Sequence, residues 1–180
     1  MRRLLSLTAA AALAAVLAAC DGNTPLMNQV VAGNRAAVEH MIAGGADVNA
    51  RNNYGWTPLM HAARLGSVEL AKVLLDHGAK VDARDDEGFT PLMRAAQKGN
   101  AAVVQLLLDR GADVNAANKE NWTPLLWAVE EDHPDVAKVL IDRGADVNHH
   151  NDEGLTARML AERGGSGELL FMLDRAGARE

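Results

Sequence analysis

Residues 56–79 read WTPLMHAARLGSVELAKVLLDHGA, and this stretch predicts two short helices separated by a glycine. Thr57 is a residue type that caps helix N-termini, and Pro58 suits the first helical position because its missing N–H is not needed there. Gly66 ends the first helix, and apolar residues at helical spacing predict a second helix over about residues 68–76. Each helix is shorter than the about 12 residues that an isolated helix needs, so both require packing partners.

The same pattern recurs every 33 residues. The threonine before each first helix keeps this spacing without deviation, at Thr24, Thr57, Thr90, Thr123 and Thr156. Gly-Ala pairs recur at the same spacing, at residues 45–46, 78–79, 111–112 and 144–145. A fixed period of this length indicates a repeat array, in which each unit buries its apolar face against its neighbours. The aromatic content of only 3% agrees, because thin, close-packed helix pairs need few large side chains.

The Thr-Pro-Leu that opens four of these units resembles the Thr-Pro-Leu-His-x-Ala signature of the ankyrin repeat. The resemblance implies an all-α repeat solenoid of about five repeats, each with two helices and a β-hairpin finger. The approximate repeats are residues 24–52, 53–85, 86–118, 119–151 and 152–180, which form one domain over residues 24–180. Met or Leu replaces the family histidine, which indicates apolar packing at that position. The irregular first and last repeats are typical of terminal caps.

The first twenty residues have the features of an export signal. Two arginines precede an uncharged stretch over residues 4–19, which is short for a membrane-spanning helix. The stretch ends Leu-Ala-Ala-Cys at Cys20, which resembles the lipobox of bacterial lipoproteins. The resemblance implies a signal peptide over residues 1–19, a lipid on the Cys20 sulfur and a short tether over residues 20–23. The alternative is an ordinary signal peptide or an uncleaved anchor, with the cysteine incidental.

Lipidation would hold the protein to a membrane in the bacterial periplasm by more than one acyl chain. Asp21 directly follows the cysteine, and it resembles the inner-membrane retention signal of enteric lipoproteins. The inner membrane is therefore slightly favoured over the outer membrane. Residues 21–23 alone separate the lipid from the first Thr-Pro-Leu, a span of roughly 10 Å when extended. The array would thus lie against the membrane surface.

Charge and composition argue against nucleic-acid binding and against catalysis. Eighteen basic residues oppose 24 acidic ones, a net charge of −6 that becomes −8 when the two signal-peptide arginines are removed. A nucleic-acid-binding protein needs a basic face instead. The single cysteine excludes a disulfide within the chain and a Cys-rich zinc site. His149 and His150 would point to opposite sides of a strand, which makes a poor chelate. We therefore expect no catalytic residue, no metal and no cofactor.

Aromatic residues concentrate at one repeat position. Trp56, Phe89 and Trp122 each precede the signature threonine, and Tyr54 lies close by. In ankyrin proteins the fingers and first helices line the groove that holds partners, and Trp, Tyr and Arg are enriched at binding hot spots. The resemblance implies that the partner-binding residues are Tyr54, Trp56, His61, Arg64, Phe89, Arg94, Gln97, Trp122, Trp127, Glu130 and Glu131. The alternative is that the aromatic side chains only pack finger against finger.

Acidic residues cluster on the same side of the repeats and predict a partner protein with a basic surface, at or near the membrane. The sequence therefore predicts a non-catalytic protein–protein interaction module of the cell envelope. The alternative function is that of an immunity protein or inhibitor that covers the active site of a toxin or another enzyme. Both functions would use the same face of the array.

Overall fold

The structure, a computed structural model, describes residues 21–179 and contains ten helices over that range. The helices form five consecutive pairs: α1 Pro25–Val31 and α2 Arg35–Ala43, α3 Pro58–Leu65 and α4 Val68–Asp76, α5 Pro91–Gln97 and α6 Ala101–Asp109, α7 Pro124–Glu130 and α8 Pro134–Asp142, α9 Ala157–Gly164 and α10 Gly167–Arg175. None of these helices is long and apolar enough to cross a membrane. The predicted signal peptide and Cys20 lie outside the described residues. The succession of helix pairs confirms the predicted all-α repeat solenoid.

Each first helix begins at its threonine, as predicted. The Thr57 hydroxyl accepts a hydrogen bond from the Met60 backbone N–H at 3.4 Å. The equivalent bonds at the other four threonines each measure 3.3 Å. These bonds satisfy backbone donors that a helix N-terminus leaves without an internal partner. Proline follows the threonine in four of the five first helices, and Ala157 takes its place in α9.

The helices pack in two layers around a continuous apolar core. First helices contact the first helices of adjacent repeats, and second helices contact the neighbouring second helices. Leu59, Leu92 and Leu125 occupy equivalent positions and are buried in this core. At the position of the missing family histidine, Met60 is also buried, but Met159 of the last repeat is 39% exposed. No repeat follows the last pair within the described chain, so one side of that methionine stays uncovered.

The fingers between the helix pairs are turns, and the predicted β-hairpins are wrong. In the finger over residues 52–56, two backbone bonds close the turn, from the Asn52 N–H to the Trp56 carbonyl and from the Gly55 N–H to the Asn52 carbonyl, both at 3.0 Å. The Asn52 side-chain oxygen accepts hydrogen bonds from the N–H groups of Tyr54 and Trp56 at 3.0 and 2.9 Å. Because this side chain occupies donors that a paired strand would use, the turn does not lengthen into a hairpin. Within the described range, strand-like pairing is limited to one isolated bridge, between His150 and Thr156.

The same turn recurs along the array and links each finger to the next. Asp85, Asn118 and Asn151 occupy the position of Asn52, and their side chains accept the equivalent pairs of N–H bonds. Backbone N–H groups of each finger donate to carbonyls of the finger before it at 3.1 Å: Asn53 to Asp21, Asp86 to Tyr54, Lys119 to Glu87 and Asp152 to Glu120. The segment predicted as a tether therefore packs against the array from Asp21 onward.

Three positions of the repeat have a positive φ. Glycine occupies most of them, as at Gly88 with φ +82° and Gly99 with φ +71°. In the fourth repeat the equivalent residues are Asn121, with φ +58°, and Asp132, with φ +54°. Side chains other than glycine are strained in this region, although Asn and Asp tolerate it better than most. The fourth repeat therefore has two residues whose backbone strain lowers stability, and its neighbours have glycine at both positions.

Candidate functional site

A pocket of about 530 Å³ opens between the finger over residues 52–56 and the finger over residues 85–89. Its lining combines aromatic, acidic and basic side chains: Asp21, Asn52, Tyr54, Trp56, His61, Arg64, Asp85, Asp86, Glu87 and Arg94. The first helices α3 and α5 supply His61, Arg64 and Arg94, and the remaining residues come from the fingers. The pocket thus lies where two fingers meet two first helices.

Arg94 joins the two fingers at the floor of this pocket. Its guanidinium carbon lies 4.3 Å from the ring centroid of Trp56 and 3.8 Å from that of Phe89. One guanidinium nitrogen donates to Oδ2 of Asp85 at 2.5 Å, and the two side chains are only 13% and 1% exposed. Burial lowers the pKa of Arg94 from its ordinary value, and the bond to Asp85 opposes that shift. The pair is therefore an internal part of the site rather than a free charge.

His61 forms a neutral wall of the pocket. The residue is buried, and its ring centroid lies 5.1 Å from that of Trp56. Burial and the nearby Arg64 lower the pKa of His61 to about 4, while Asp21 acts weakly in the opposite direction. The imidazole is therefore uncharged at neutral pH. Its buried Nε2 has no hydrogen-bond partner among the residues that the structure describes.

A second aromatic group lies one repeat further along. The indole of Trp127 stacks on that of Trp122, with ring centroids 4.5 Å apart, and lies 5.3 Å from the ring of Phe89. Phe89 is buried together with Met93, and Trp127 packs against them. Phe89 therefore holds the finger over residues 85–89 on its helix. Packing between fingers, the alternative that the sequence left open, accounts for this residue.

The geometry of caps, paired helices and linked fingers agrees with the comparison with known families. A family model described as ankyrin repeats (3 copies) matches residues 4–85 and 82–151, most of the chain. The chain belongs to the ankyrin-repeat family. Ankyrin repeats are generally protein–protein interaction modules. A search of curated proteins gives no match to this chain.

The ankyrin fold brings only some of the predicted binding residues together. Five of them line the pocket: Tyr54, Trp56, His61, Arg64 and Arg94. Three form the aromatic group of the following repeats: Phe89, Trp122 and Trp127. The remaining three lie near the C-terminal ends of first helices: Gln97, Glu130 and Glu131. The pocket is therefore the part of the predicted surface that contains both exposed side chains, such as Tyr54, and buried polar ones, such as His61.

Exposure separates the members of this surface further. Tyr54 is 57% exposed, and Arg64 is exposed with its guanidinium 5.6 Å from the Trp56 ring centroid. Glu131 is exposed, whereas Glu130 forms an ion pair with Arg163 at 2.5 Å. Tyr54 and Glu131 are consequently predicted residues that a partner can reach directly, and Arg64 is exposed while its guanidinium stays over the Trp56 ring.

Five residues of the pocket lining are absent from the predicted binding residues: Asp21, Asn52, Asp85, Asp86 and Glu87. The last three belong to the acidic cluster that predicts a basic partner, whereas Asp21 was assigned only to the tether. The repeat period contained a signal for Asn52, which is in register with Asp85, and for Asp21, which is 33 residues before Tyr54. The register would have identified Asp21 as part of a finger.

The histidine pair at residues 149–150 was considered from the sequence as a possible chelate. Across residues 21–179, no three His, Cys, Asp or Glu side chains are grouped as metal ligands. The rings of His149 and His150 lie 6.3 Å apart and nearly parallel, and do not point to opposite sides as predicted. The predicted strand reduces to one bridge at His150, so strand alternation does not apply. His149 Nε2 lies 2.9 Å from the Asn121 carbonyl oxygen, so this nitrogen is already engaged in a hydrogen bond.

Proposed function

We propose that this ankyrin protein is a lipid-anchored, non-catalytic binding module of the bacterial cell envelope, which holds a partner protein through its fingers and first helices. The observation that carries the proposal is the exposed ring of Tyr54 in the lining of a pocket that also contains half-buried Trp56. An exposed aromatic residue beside a concave polar site is typical of an interaction surface. The ankyrin family supports the same class of function.

The free charges on this face favour a basic partner. Glu87, Glu120 and Glu131 are exposed and form no ion pair with any residue in the range 21–179. Complementary charge accelerates association and suppresses wrong partners, and its effect decreases as salt is added. The affinity for the partner should therefore fall at high ionic strength.

Anchoring through Cys20 would fix how the array meets the membrane. Adjacent Cα atoms in a chain are about 3.8 Å apart, and the Asp21 carbonyl is bonded to the next finger. A lipid on Cys20 would thus hold the finger edge of the first repeat at the bilayer surface. The partner would then be a membrane protein, or a periplasmic protein held nearby. The residue type at Asp21 favours the inner membrane.

Affinity capture from detergent-solubilised membranes tests the binding role. The bait with Tyr54→Ser should lose the partner that the wild-type chain retains. The control bait carries Phe171→Ser, because Phe171 is also an exposed aromatic residue, 66% exposed, but lies on the last second helix. Equal capture by all three baits would contradict the proposed face. The identity of the captured protein separates a scaffold from an immunity protein or inhibitor, since the latter would bind a toxin or an enzyme and block its activity.

A separate experiment tests the anchor. Cells grown with radiolabelled palmitate should label the wild-type protein, and the Cys20→Ser variant should remain unlabelled and leave the membrane fraction. Labelling that persists in the variant would contradict lipid attachment at this cysteine, without any consequence for the binding face.

A further inference from the structure

The outermost residues of the fingers form a row with one side chain per repeat. The row consists of Asp21, Tyr54, Glu87, Glu120 and Glu153, which share one repeat position. The carbonyls of the first four accept the 3.1 Å bonds that join each finger to the next. These bonds hold the backbone of the row in register, so its side chains are presented at a fixed repeat spacing.

The carboxylates of the three glutamates in this row have no ion-pair partner over residues 21–179. Glu87, Glu120 and Glu153 are exposed, and in the described part of the chain they form neither an ion pair nor a side-chain hydrogen bond. Neighbouring fingertip carboxylates are already engaged, since Asp86 pairs with Arg51 at 2.8 Å. The row is therefore the part of the fingertips that is available to neutralise a positive partner.

The pocket provides independent evidence that a polar group of a ligand completes this surface. Its wall includes His61, whose Nε2 is buried and lacks a partner within residues 21–179. An unmade hydrogen bond at a buried polar atom is costly, and an incoming polar group would remove that cost. Tyr54 belongs both to this pocket and to the row, and its exposed ring can receive a cation on its face.

We propose that the partner contributes an extended basic segment with Lys or Arg at every third residue, which lies along the row and places one basic side chain against Tyr54 and the pocket. This inference rests on the proposed function as a protein-binding module. Packed helices are about 8–10 Å apart, which sets the spacing between repeats. In the extended polyproline II conformation, which has three residues per turn and a rise of about 3.1 Å per residue, residues three apart lie on the same side of the chain and about 9 Å apart. Successive basic side chains of the segment therefore meet Glu87, Glu120 and Glu153 in turn.

An extended partner fits the charge better than a helical one. Basic residues at this density repel one another and extend a free chain, whereas a short isolated helix is marginal in water. An extended segment therefore meets the row with little prior ordering. Lys119 is the one basic residue at the tips of the fingers over residues 85–89, 118–122 and 151–155, and it marks the weakest point of the row.

Synthetic peptides test the spacing directly. The probe is a peptide of five Lys-Thr-Ser units, and its reference has the same composition with all the lysines at one end. Binding to the full chain in detergent is measured by isothermal titration calorimetry at low salt. The spaced peptide should bind about ten-fold more tightly than the clustered one, the gain expected when several weak exposed ion pairs act together. Equal affinity for the two peptides would overturn the inference.

Matched variants separate the row from general charge. Glu87→Gln, Glu120→Gln and Glu153→Gln together should abolish the preference for the spaced peptide. The control combines Glu69→Gln, Asp135→Asn and Glu168→Gln, which remove the same charge from exposed positions in the first turns of second helices. The control should keep the preference, and an equal loss in both variants would overturn the row as the binding surface. Tyr54→Ser should weaken the spaced peptide about three-fold, which is the size of an exposed cation–π contact.

The two proposals fail in different ways. If a membrane partner is captured through Tyr54 while the peptides show no spacing preference, the extended basic segment is wrong and the binding module stands. If capture does not depend on Tyr54, the proposed face is wrong whatever the peptides show. Binding of anionic lipid vesicles to the row, in place of the spaced peptide, would contradict the inference, because carboxylates repel such a surface.

Discussion

A guanidinium nitrogen of Arg94 lies 2.5 Å from Oδ2 of Asp85. Both residues of this ion pair stand at repeat positions where the other repeats have no charged pair. The finger over residues 85–89 has Asp85 at the position that Asn52, Asn118 and Asn151 occupy in the other fingers. The aspartate keeps the turn, because Oδ1 accepts the same two backbone N–H bonds as the asparagines. Its second oxygen is therefore free to hold the arginine between two aromatic rings.

This relationship predicts a coupled effect on stability. Asp85→Asn preserves the turn but leaves the buried guanidinium uncompensated, so the free energy of unfolding should fall by about 2 kcal/mol. The double variant Asp85→Asn with Arg94→Leu should regain most of that loss, because Asn151 and the first helix of the last pair combine Asn with Leu160 at these positions. Urea unfolding monitored by circular dichroism measures each value. Additive losses in the double variant would show that the pair is not coupled.

His61 predicts a pH dependence of stability. Its pKa is about 4 in the folded protein, against about 6.5 in an unfolded chain. Between these values the unfolded state binds a proton that the native state excludes, so stability falls as the pH is lowered from about 6.5 to 4. The contribution is about 2–3 kcal/mol. His61→Leu should remove this part of the pH dependence, as measured by urea unfolding at pH 7 and pH 4.5. An unchanged difference between the two pH values would rule His61 out as its source.

Asp132 predicts a stabilising substitution. It adopts φ +54° at a position where the other four repeats have Gly33, Gly66, Gly99 and Gly165. Asp132→Gly relieves the strain of an L residue in this region and should raise the free energy of unfolding by about 0.5–1 kcal/mol. The opposite substitution, Gly99→Ala, should destabilise the protein, since an added Cβ would lie 2.8 Å from the His133 ring. Thermal unfolding of both variants measures whether stability rises for Asp132→Gly and falls for Gly99→Ala. A loss of stability in Asp132→Gly would show that the backbone at Asp132 is not strained.

Substitution of Phe89 should reduce stability, whereas substitution of Tyr54 should reduce partner binding. Phe89 is buried, so Phe89→Ala should cost about 3 kcal/mol of stability. Tyr54 is exposed, so Tyr54→Ser should change stability by less than about 0.5 kcal/mol while it reduces binding. Urea unfolding and affinity capture on the same preparations compare the two effects. A stability loss for Tyr54→Ser as large as that for Phe89→Ala would assign both residues to packing.

The sequence predicted the helices well because their limits depend on local chemistry. Thr57 and Pro58 fix the start of α3, and Gly66 fixes its end, within a period that repeats without deviation. The hairpins failed because the asparagine side chain at Asn52 competes with backbone pairing, an effect that a short turn sequence does not distinguish from a hairpin. Both the family resemblance and the turn residues 52–55 had favoured a hairpin.

The candidate site was predicted only in outline. The sequence predicted Trp56 and Phe89 as equivalent partner-binding residues of one column, but in the structure one ring is half-buried and the other buried. Arg94 contacts both rings, and Phe89 is in addition packed with Met93, Ala116 and Trp127. Contacts between repeats of unlike sequence decide such details, and the periodic pattern by itself does not contain them.

Site-specific photo-crosslinking in native membranes tests the central claim most directly. A photoreactive residue at Tyr54 is compared with one at Lys72, an exposed position on the second helix α4. Mass spectrometry then identifies the products. The account predicts one partner protein crosslinked from Tyr54 and absent from Lys72, with a yield that falls as salt is raised. Equal crosslinking from both positions, or a partner obtained only from Lys72, would contradict binding through the finger and first-helix face.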